Sequence, residues 1–195
     1  MTLDPASVNR LIADRRSVYQ AQYSGEQVDD NIIRQMLENA NWAPTHKLTE
    51  PWRFVVFTGK GIRKLAEFQS SLYRQVTTSN GTYKEDTFEK LLTKPALSSH
   101  IIAVGMNRDP RNSVPEIEEI GAVFCAVQNM YLTACAYGVG CYLSTGGITF
   151  YEDAKPFFGL GADDKLLGFL HVGMPRGTMP PGKRTSVDQK VKWVD

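Results

Sequence analysis

Arg15, Arg16 and Ser17 are the first residues along the chain whose types and spacing could bind a charged ligand. Guanidinium groups bind phosphates through charge-assisted hydrogen bonds that are often bidentate, and a hydroxyl group can add a further hydrogen bond. The triplet therefore predicts a phosphate site at the end of a helix. The alternative is a basic helix end that is exposed to solvent. When the triplet is considered alone, this alternative is favoured.

A second candidate is the loop of residues 42–54, which contains Trp42, Trp52, two prolines and the pair His46-Lys47. Prolines stiffen such a loop, and polar groups beside an apolar wall suit a planar ring ligand. A well-packed connection that leaves His46 on the surface is equally consistent with these residues.

The third candidate is a glycine-rich turn, residues 138–147, which includes Tyr142, Leu143 and Ser144. Closely spaced glycines let the backbone approach a ligand, because no Cβ atom obstructs it. A backbone N–H group of this turn could donate to a ring nitrogen. The alternative, a helix end followed by a short strand, is favoured when the turn is considered alone.

The pair Lys183-Arg184 is the fourth candidate and lies in a Pro/Gly-rich, basic tail. Its cations could complete a phosphate site, although a solvated tail is favoured on the pair alone. The apolar residues of this tail need burial: Val187, Val191, Trp193 and Val194. We therefore expect residues from about 176 to 195 to pack on a partner subunit.

Helices and strands that must position these groups alternate loosely along the chain. Apolar periodicity and capping signals predict helices at about residues 4–15, 29–41, 60–94 (with a break near 79–81), 116–137 and 152–158. Short apolar runs predict strands at about residues 53–57, 100–105, 142–144 and 166–174. The helix at 116–137 is apolar on most sides, which indicates burial in a large core or an interface.

The composition of the chain limits the classes of function that it can have. The 195 residues suit one domain, and a hydrophobic content of 42% is enough for a real core. A net charge of +1 does not predict binding to nucleic acid or to an anionic membrane surface. The three cysteines form no metal-binding motif and suit a reducing compartment, and no long apolar segment opens the chain. We expect a cytoplasmic protein without a structural metal.

The order of the motifs resembles the FMN-dependent nitroreductase family over almost the whole chain, from about Leu11 to Val191. The motifs that carry the resemblance are Arg15-Arg16-Ser17, Trp42-Ala43-Pro44-Thr45, Pro51-Trp52-Arg53-Phe54, Gln128-Asn129, Gly138-Val139-Gly140, Gly168-Phe169-Leu170 and Gly173-Met174-Pro175. The run Ala43-Pro44-Thr45-His46-Lys47 is particularly similar to the small YdjA-like branch of that family.

The resemblance implies an α+β fold, a three-layer sandwich whose mostly antiparallel central sheet is flanked by helices. It also implies an intertwined homodimer with FMN at the subunit interface. Arg15, Arg16, Ser17 and Arg184 would hold the phosphate and ribityl chain of FMN. Trp42 and His46 would approach the flavin, and Tyr142, Leu143 and Ser144 would line its ring.

The activity that the resemblance implies is reduction of a small-molecule acceptor, such as a nitroaromatic or a quinone, with electrons from NAD(P)H. One flavin face serving both substrates implies ping-pong kinetics without an essential catalytic side chain. Leu48 and Glu50 depart from the Asn and Gln of many members. Two alternatives stay open: a flavin-dependent oxidase or dehydrogenase acting on a specific metabolite, and a non-catalytic flavin-binding module.

Overall fold

Four antiparallel strands form one sheet in the computed structural model, which describes residues 4–195. The strands are β1 (Trp52–Thr58), β2 (His100–Met106), β3 (Gly140–Ser144) and β4 (Lys165–Gly173). Their order across the sheet is β1-β2-β4-β3, and every neighbouring pair is antiparallel. β3 therefore lies at one edge of the sheet, beside β4.

Five α-helices surround this sheet: α1 (Pro5–Asp14), α2 (Asp30–Asn41), α3 (Lys60–Ser79), α4 (Glu85–Thr93) and α5 (Glu116–Ala136). The helices and strands expected from the sequence are confirmed, including the break within residues 60–94, which separates α3 from α4. The expected helix at Glu152–Phe158 is a 3₁₀ segment that contains Pro156, a residue without the N–H group that an α-helix needs. Within residues 4–195, no helix is long and apolar enough to span a bilayer.

Alternate residues of β2 face two separate cores. Ile102 and Val104 pack in the core that α2 and α5 cover, whereas Ile101 and Ala103 pack in the core that α3 covers. Because successive side chains of a strand point to opposite faces, a strand that is buried on both faces is an uninterrupted apolar run. The expected α+β three-layer sandwich is therefore confirmed.

The segment after α1 runs along the outer edge of β3. Ser17 and Cys141 form a parallel bridge, and the Val18 N–H group donates to the Cys141 carbonyl over 2.8 Å. The approach is close, since a Cβ atom on Gly140 would lie 2.9 Å from the Cβ atom of Val18. This pairing fixes the Arg15–Ser17 triplet against the sheet edge.

The C-terminal tail contributes little to the cores of its own chain. Val187 and Val191 are exposed, and the Trp193 side chain is 87% exposed. The hydrogen bonds formed by residues 184–195 join residues at most five positions apart in sequence. Packing of this tail on a partner subunit stays a prediction.

Candidate functional site

A cavity of about 460 Å³ opens where β3 ends. Tyr142 and Ser144 of β3 line it, together with Phe169 of β4. Gly146 and Gly147 continue the wall, and a Cβ atom built on either glycine would meet nothing within 4 Å. Because these two glycines have no side chains and no other atoms crowd them, a flat ligand could approach their backbone closely.

His171 lies at the base of this cavity and is held by hydrogen bonds to both ring nitrogens. Its Nε2 atom lies 3.1 Å from Ser144 Oγ, and its Nδ1 atom lies 3.0 Å from the amide nitrogen of Gln20. Burial lowers the pKa of His171 to about 4, so the ring is neutral near pH 7. Since the amide nitrogen of Gln20 can only donate, Nδ1 accepts and Nε2–H donates to Ser144 Oγ.

Gln20 links three parts of the chain at this wall. Besides His171, its amide group donates to the Lys94 carbonyl at 3.2 Å and to Ser98 Oγ at 3.1 Å. The amide therefore connects the N-terminal segment to β4 and to the 3₁₀ turn Lys94–Leu97 that follows α4. These contacts fix the cavity wall before any ligand binds.

Arg15 lies on the α5 side of the sheet edge. Its guanidinium carbon is 5.2 Å from the centre of the Tyr131 ring, a cation–π contact. The Tyr131 hydroxyl accepts a 2.7 Å hydrogen bond from the backbone N–H group of Leu143. Burial raises the pKa of Tyr131, so its phenol stays protonated. Arg15 and β3 are thus joined through one tyrosine.

The C-terminal tail passes over Arg16 two residues before it reaches Arg184. The Arg16 guanidinium donates to the Arg15 carbonyl at 2.6 Å. A Cβ atom on Gly182 would lie 2.5 Å from the Arg16 guanidinium carbon, so the tail passes directly over Arg16. Arg184 follows two residues later, exposed, and donates to the Lys183 carbonyl. Together with Arg15, these cations could hold an anionic group near Ser17, which is also exposed.

Trp42 and His46 are not among the residues that line the cavity. His46 Nδ1 is 2.5 Å from Glu118 Oε2, at the beginning of α5. Tyr131 lies thirteen positions further along that helix, which corresponds to roughly 20 Å at the rise of an α-helix. The Trp42 side chain is 79% exposed. The chain alone does not bring these two residues to the cavity.

The loop after Pro44 has an unusual backbone. Lys47, Leu48 and Glu50 have φ angles of 52°, 53° and 43°, a region that costs side-chain-bearing residues energy. Thr45 Oγ accepts the Glu50 N–H group at 3.2 Å, and Lys47 Nζ donates to the Ser113 carbonyl at 2.7 Å. Leu48 and Glu50, which depart from the family pattern, are both exposed.

Four cavity residues were not identified from the sequence as site residues: Gln20, Lys90, Lys94 and His171. Tyr131, which joins Arg15 to β3 from the α5 side, was not identified either. A histidine in a strand is more often a hydrogen-bonded core residue than a ligand, and the hydrogen bonds of His171 fit that interpretation. Lys90 and Lys94 belong to a polar stretch, residues 68–94, and no motif there distinguishes them from other charged residues. Tyr131 lies on an apolar face of α5, and nothing in the helical pattern distinguishes it from a core residue.

Comparison with known proteins gives concordant matches. The nitroreductase family model matches residues 12–174. YdjA of Escherichia coli (strain K12), named as an NAD(P)H nitroreductase, is 30% identical over 169 residues, which cover 87% of this chain and 86% of YdjA.

Solved structures agree with that match. A nitroreductase-like family protein from Bacillus cereus is 26% identical with a TM-score of 0.81, and the match covers 100% of this chain and 99% of that protein. The FMN-dependent nitroreductase NfnB from Mycobacterium smegmatis, solved in complex with NADPH, shares the fold with a TM-score of 0.74 at 19% identity, over 98% of this chain and 100% of NfnB.

Proposed function

The chain belongs to the nitroreductase family, and from this membership we propose that it is an FMN-dependent oxidoreductase that takes electrons from NAD(P)H. The family expected from the sequence motifs is thereby confirmed. One structural observation carries the proposal: the Arg15–Ser17 triplet is paired with β3 beside the cavity that Tyr142 lines. Cations for a phosphate and a wall for a ring therefore lie on the same sheet edge.

The phosphate end of FMN is assigned to the cationic group beside β3. Arg15, Arg16 and Arg184 supply guanidinium groups there, and Ser17 supplies a hydroxyl group. These groups are exposed or half-buried and can reorient toward an anion. When bound, FMN supplies the two-electron chemistry that connects a nicotinamide with an organic acceptor.

The ring end of FMN is assigned to the cavity wall formed by Tyr142 and Ser144, next to Gly146 and Gly147, whereas the Leu143 side chain packs on the opposite face of β3. The Leu143 N–H group already donates to Tyr131, so a ring nitrogen would have to compete with that phenol for this hydrogen bond. His171, neutral and hydrogen-bonded to Ser144, keeps the hydroxyl of that serine oriented at the base of the wall.

A homodimer would complete the site. Trp42 and His46 do not line the cavity in the single chain, whereas a two-fold-related chain could present them to it. Large apolar side chains on the outer faces of α1 and α5, Ile12, Ile117 and Phe124, are exposed in the single chain. The exposed apolar tail from about residue 176 adds to the surface that a partner would bury.

Electron donor and acceptor are proposed to use the cavity in turn. The flavin ring is itself assigned to this cavity, so one face of the ring would serve both substrates, and the nicotinamide would leave before a nitroaromatic or quinone takes its place. Alternating occupancy gives ping-pong kinetics, observed as parallel lines in double-reciprocal plots. Intersecting lines would refute a shared site.

An absorption spectrum of the freshly purified protein, followed by anaerobic addition of NADH and NADPH, tests the proposed function. We expect flavin absorption bands that either or both nicotinamides bleach. Flavin bands that neither nicotinamide bleaches would instead favour an oxidase or dehydrogenase acting on a specific metabolite. A colourless protein that does not retain added FMN would defeat the proposal.

A further inference from the structure

A second cavity, of about 360 Å³, opens where β1 ends and α3 begins. Among residues 4–195, it shares no lining residue with the cavity assigned to the flavin ring. Ile62, Ala66 and Leu92 make much of its wall apolar. Ser99, which directly precedes β2, lines the same cavity. The space is therefore a separate site that a small and mostly apolar molecule could enter.

Three side chains form a hydrogen-bonded line that begins at this second cavity. Ser99 Oγ lies 2.9 Å from His100 Nδ1, and His100 Nε2 lies 3.0 Å from Asp30 Oδ1. The His100 side chain is 3% exposed, whereas the Asp30 side chain is 72% exposed. The line therefore connects the cavity wall, through a buried imidazole, to a carboxylate at the beginning of α2. A hydroxyl, an imidazole and a carboxylate in this order are the groups of a nucleophilic triad.

The hydrogen-bond partners determine where the protons of this line are held. A carboxylate only accepts, so in the neutral ring Nε2 of His100 carries the hydrogen and Nδ1 presents its lone pair to Ser99. The Ser99 hydroxyl donates to Nδ1, since its other acceptor, Gln27 Oε1, is farther away at 3.3 Å. The Val28 N–H group donates to Ser99 Oγ over 2.8 Å and fixes its position. In serine proteases the serine faces Nε2 instead, but either ring nitrogen can take the proton.

Groups that stabilise negative charge line the same cavity as Ser99. Gly59, the N-cap of α3, provides no side-chain acceptor for the first turn of that helix. The N–H groups of a first turn have no partners within the helix and, together with the helix dipole, favour an anion. Arg63, one turn into α3, adds a cation to the wall. A nucleophile, a base and donors for an oxyanion are therefore arranged around one cavity.

We propose that the chain has a second, flavin-independent activity, the hydrolysis of small carboxylic esters in this second cavity, with Ser99 as the nucleophile. Ser99 Oγ forms a bond to the acyl carbon while its proton passes to His100 Nδ1. The ester C–O bond then breaks, and the departing alcohol takes that proton. Water, deprotonated in turn by His100, hydrolyses the acyl-serine and releases the carboxylic acid. Asp30 is a positioning residue, because it acts on the substrate only through the imidazole.

The first test is hydrolysis of 4-nitrophenyl acetate by the whole chain as purified, followed by release of 4-nitrophenolate. Ser99→Ala should lower kcat/KM about a hundredfold or more, because the nucleophile is lost. Ser70→Ala is the matched control. Ser70 is a buried serine of α3 that lines neither cavity and donates to the Glu67 carbonyl, so its variant should keep the wild-type rate. Equal rates for Ser99→Ala and the wild type would overturn the proposal.

Asp30→Asn gives a second test, which stands even if loss of the hydrogen bond from Val28 unfolds the Ser99→Ala variant. Asparagine has nearly the same size, and the position is exposed. We expect kcat to fall about tenfold or more, while KM and the midpoint of urea unfolding stay nearly unchanged, because only proton transfer is affected. Asp86→Asn, which removes an exposed carboxylate from the first turn of α4, should not change kcat. An unchanged kcat in Asp30→Asn would contradict the role of the carboxylate.

A fluorophosphonate probe identifies the nucleophile directly, since an activated serine displaces fluoride from phosphorus and keeps the phosphonyl group. Peptide mass spectrometry should find the group on Ser99 in the folded chain, and urea should suppress the labelling. Absence of the group from Ser99, or labelling that urea does not suppress, would overturn the proposal. Neither the probe nor the ester requires electron transfer, so failure of NADH or NADPH to bleach the flavin would defeat the proposed function alone.

Discussion

The Leu143 N–H group donates to the Tyr131 hydroxyl over 2.7 Å, which joins the edge strand of the sheet to α5. The same phenol ring carries the Arg15 guanidinium at 5.2 Å on its face. One side chain therefore fixes both the strand assigned to the flavin ring and the cation assigned to its phosphate. This arrangement makes Tyr131 the natural position for a test of how the site is held together.

Replacing Tyr131 with phenylalanine should destabilise the protein by about 1–2 kcal/mol, because the Leu143 N–H group loses its acceptor in a half-buried position. The ring and its contact with Arg15 remain. Urea unfolding followed by circular dichroism measures the change. The Tyr137→Phe variant, which alters an exposed tyrosine at the end of the same helix, is the control and should unfold like the wild type. Equal stability of both variants would show that the Tyr131 hydroxyl is energetically unimportant.

Arg15→Ala should weaken FMN binding by about tenfold to a hundredfold, the effect of losing a charge-assisted hydrogen bond to a phosphate. Titration of the flavin-free protein with FMN, followed by quenching of flavin fluorescence, gives the dissociation constant. Arg10→Ala is the matched control, since Arg10 lies on the same helix and is exposed. If both variants bind FMN as the wild type does, the phosphate is held elsewhere.

His171 should make the protein less stable as the pH falls from about 6.5 to about 4. The ordinary histidine pKa is 6.5, and burial lowers the pKa of His171 to about 4, so in this range the unfolded chain binds more protons than the folded chain. The stabilisation is complete above pH 6.5 and is lost progressively below it, by roughly 3 kcal/mol at most.

The measurement compares the free energy of unfolding of wild type and His171→Gln between pH 7 and pH 4.5. Glutamine can still hydrogen-bond Ser144 and does not titrate, so the variant should show a flatter dependence on pH. Carboxylates contribute equally to both proteins, and their contribution cancels in the difference. Parallel curves would mean that His171 is as easily protonated in the folded chain as in the unfolded one.

Deletion of residues 185–195 should shift the protein from dimer to monomer without unfolding it. These residues are exposed and hydrogen-bond only within the tail, so the chain itself loses few contacts. Sedimentation velocity at micromolar concentration measures the shift. Arg184→Ala is the complementary variant, expected to weaken FMN binding while the dimer persists. A truncated protein that stays fully dimeric would refute the role of the tail.

The arrangement of helices and strands could be predicted from the sequence because the signals were local. The uninterrupted apolar run of β2, the Asp4-Pro5 start of α1 and the apolar faces of α5 each specify an element without reference to the rest of the chain. The 3₁₀ form of Glu152–Phe158 was missed because an acidic start and apolar positions outweighed Pro156 in the pattern.

The site was less predictable, because the residues that line it come from distant parts of the sequence and are brought together only by the tertiary fold. Nothing near Gln20 in the sequence indicates that its amide reaches His171 and Lys94. Lys90 and Lys94 resemble any other charged residues on a polar helix until α4 is placed over the cavity. Arg15, Ser17 and Tyr142 were identifiable only because their motifs resembled a known family, and the proposed roles of Trp42 and His46 depend on the homodimer that we propose.

The bond between Gln20 and His171 joins residues 151 positions apart in the chain. The N-terminal segment that contains Gln20 therefore cannot form its side of the cavity until the ribosome has synthesised β4. Until then, the Arg15–Ser17 triplet is a free basic segment, and the nascent chain offers no enclosed space for a cofactor. Cofactor loading thus becomes a late event in the life of each molecule, after the sheet has closed.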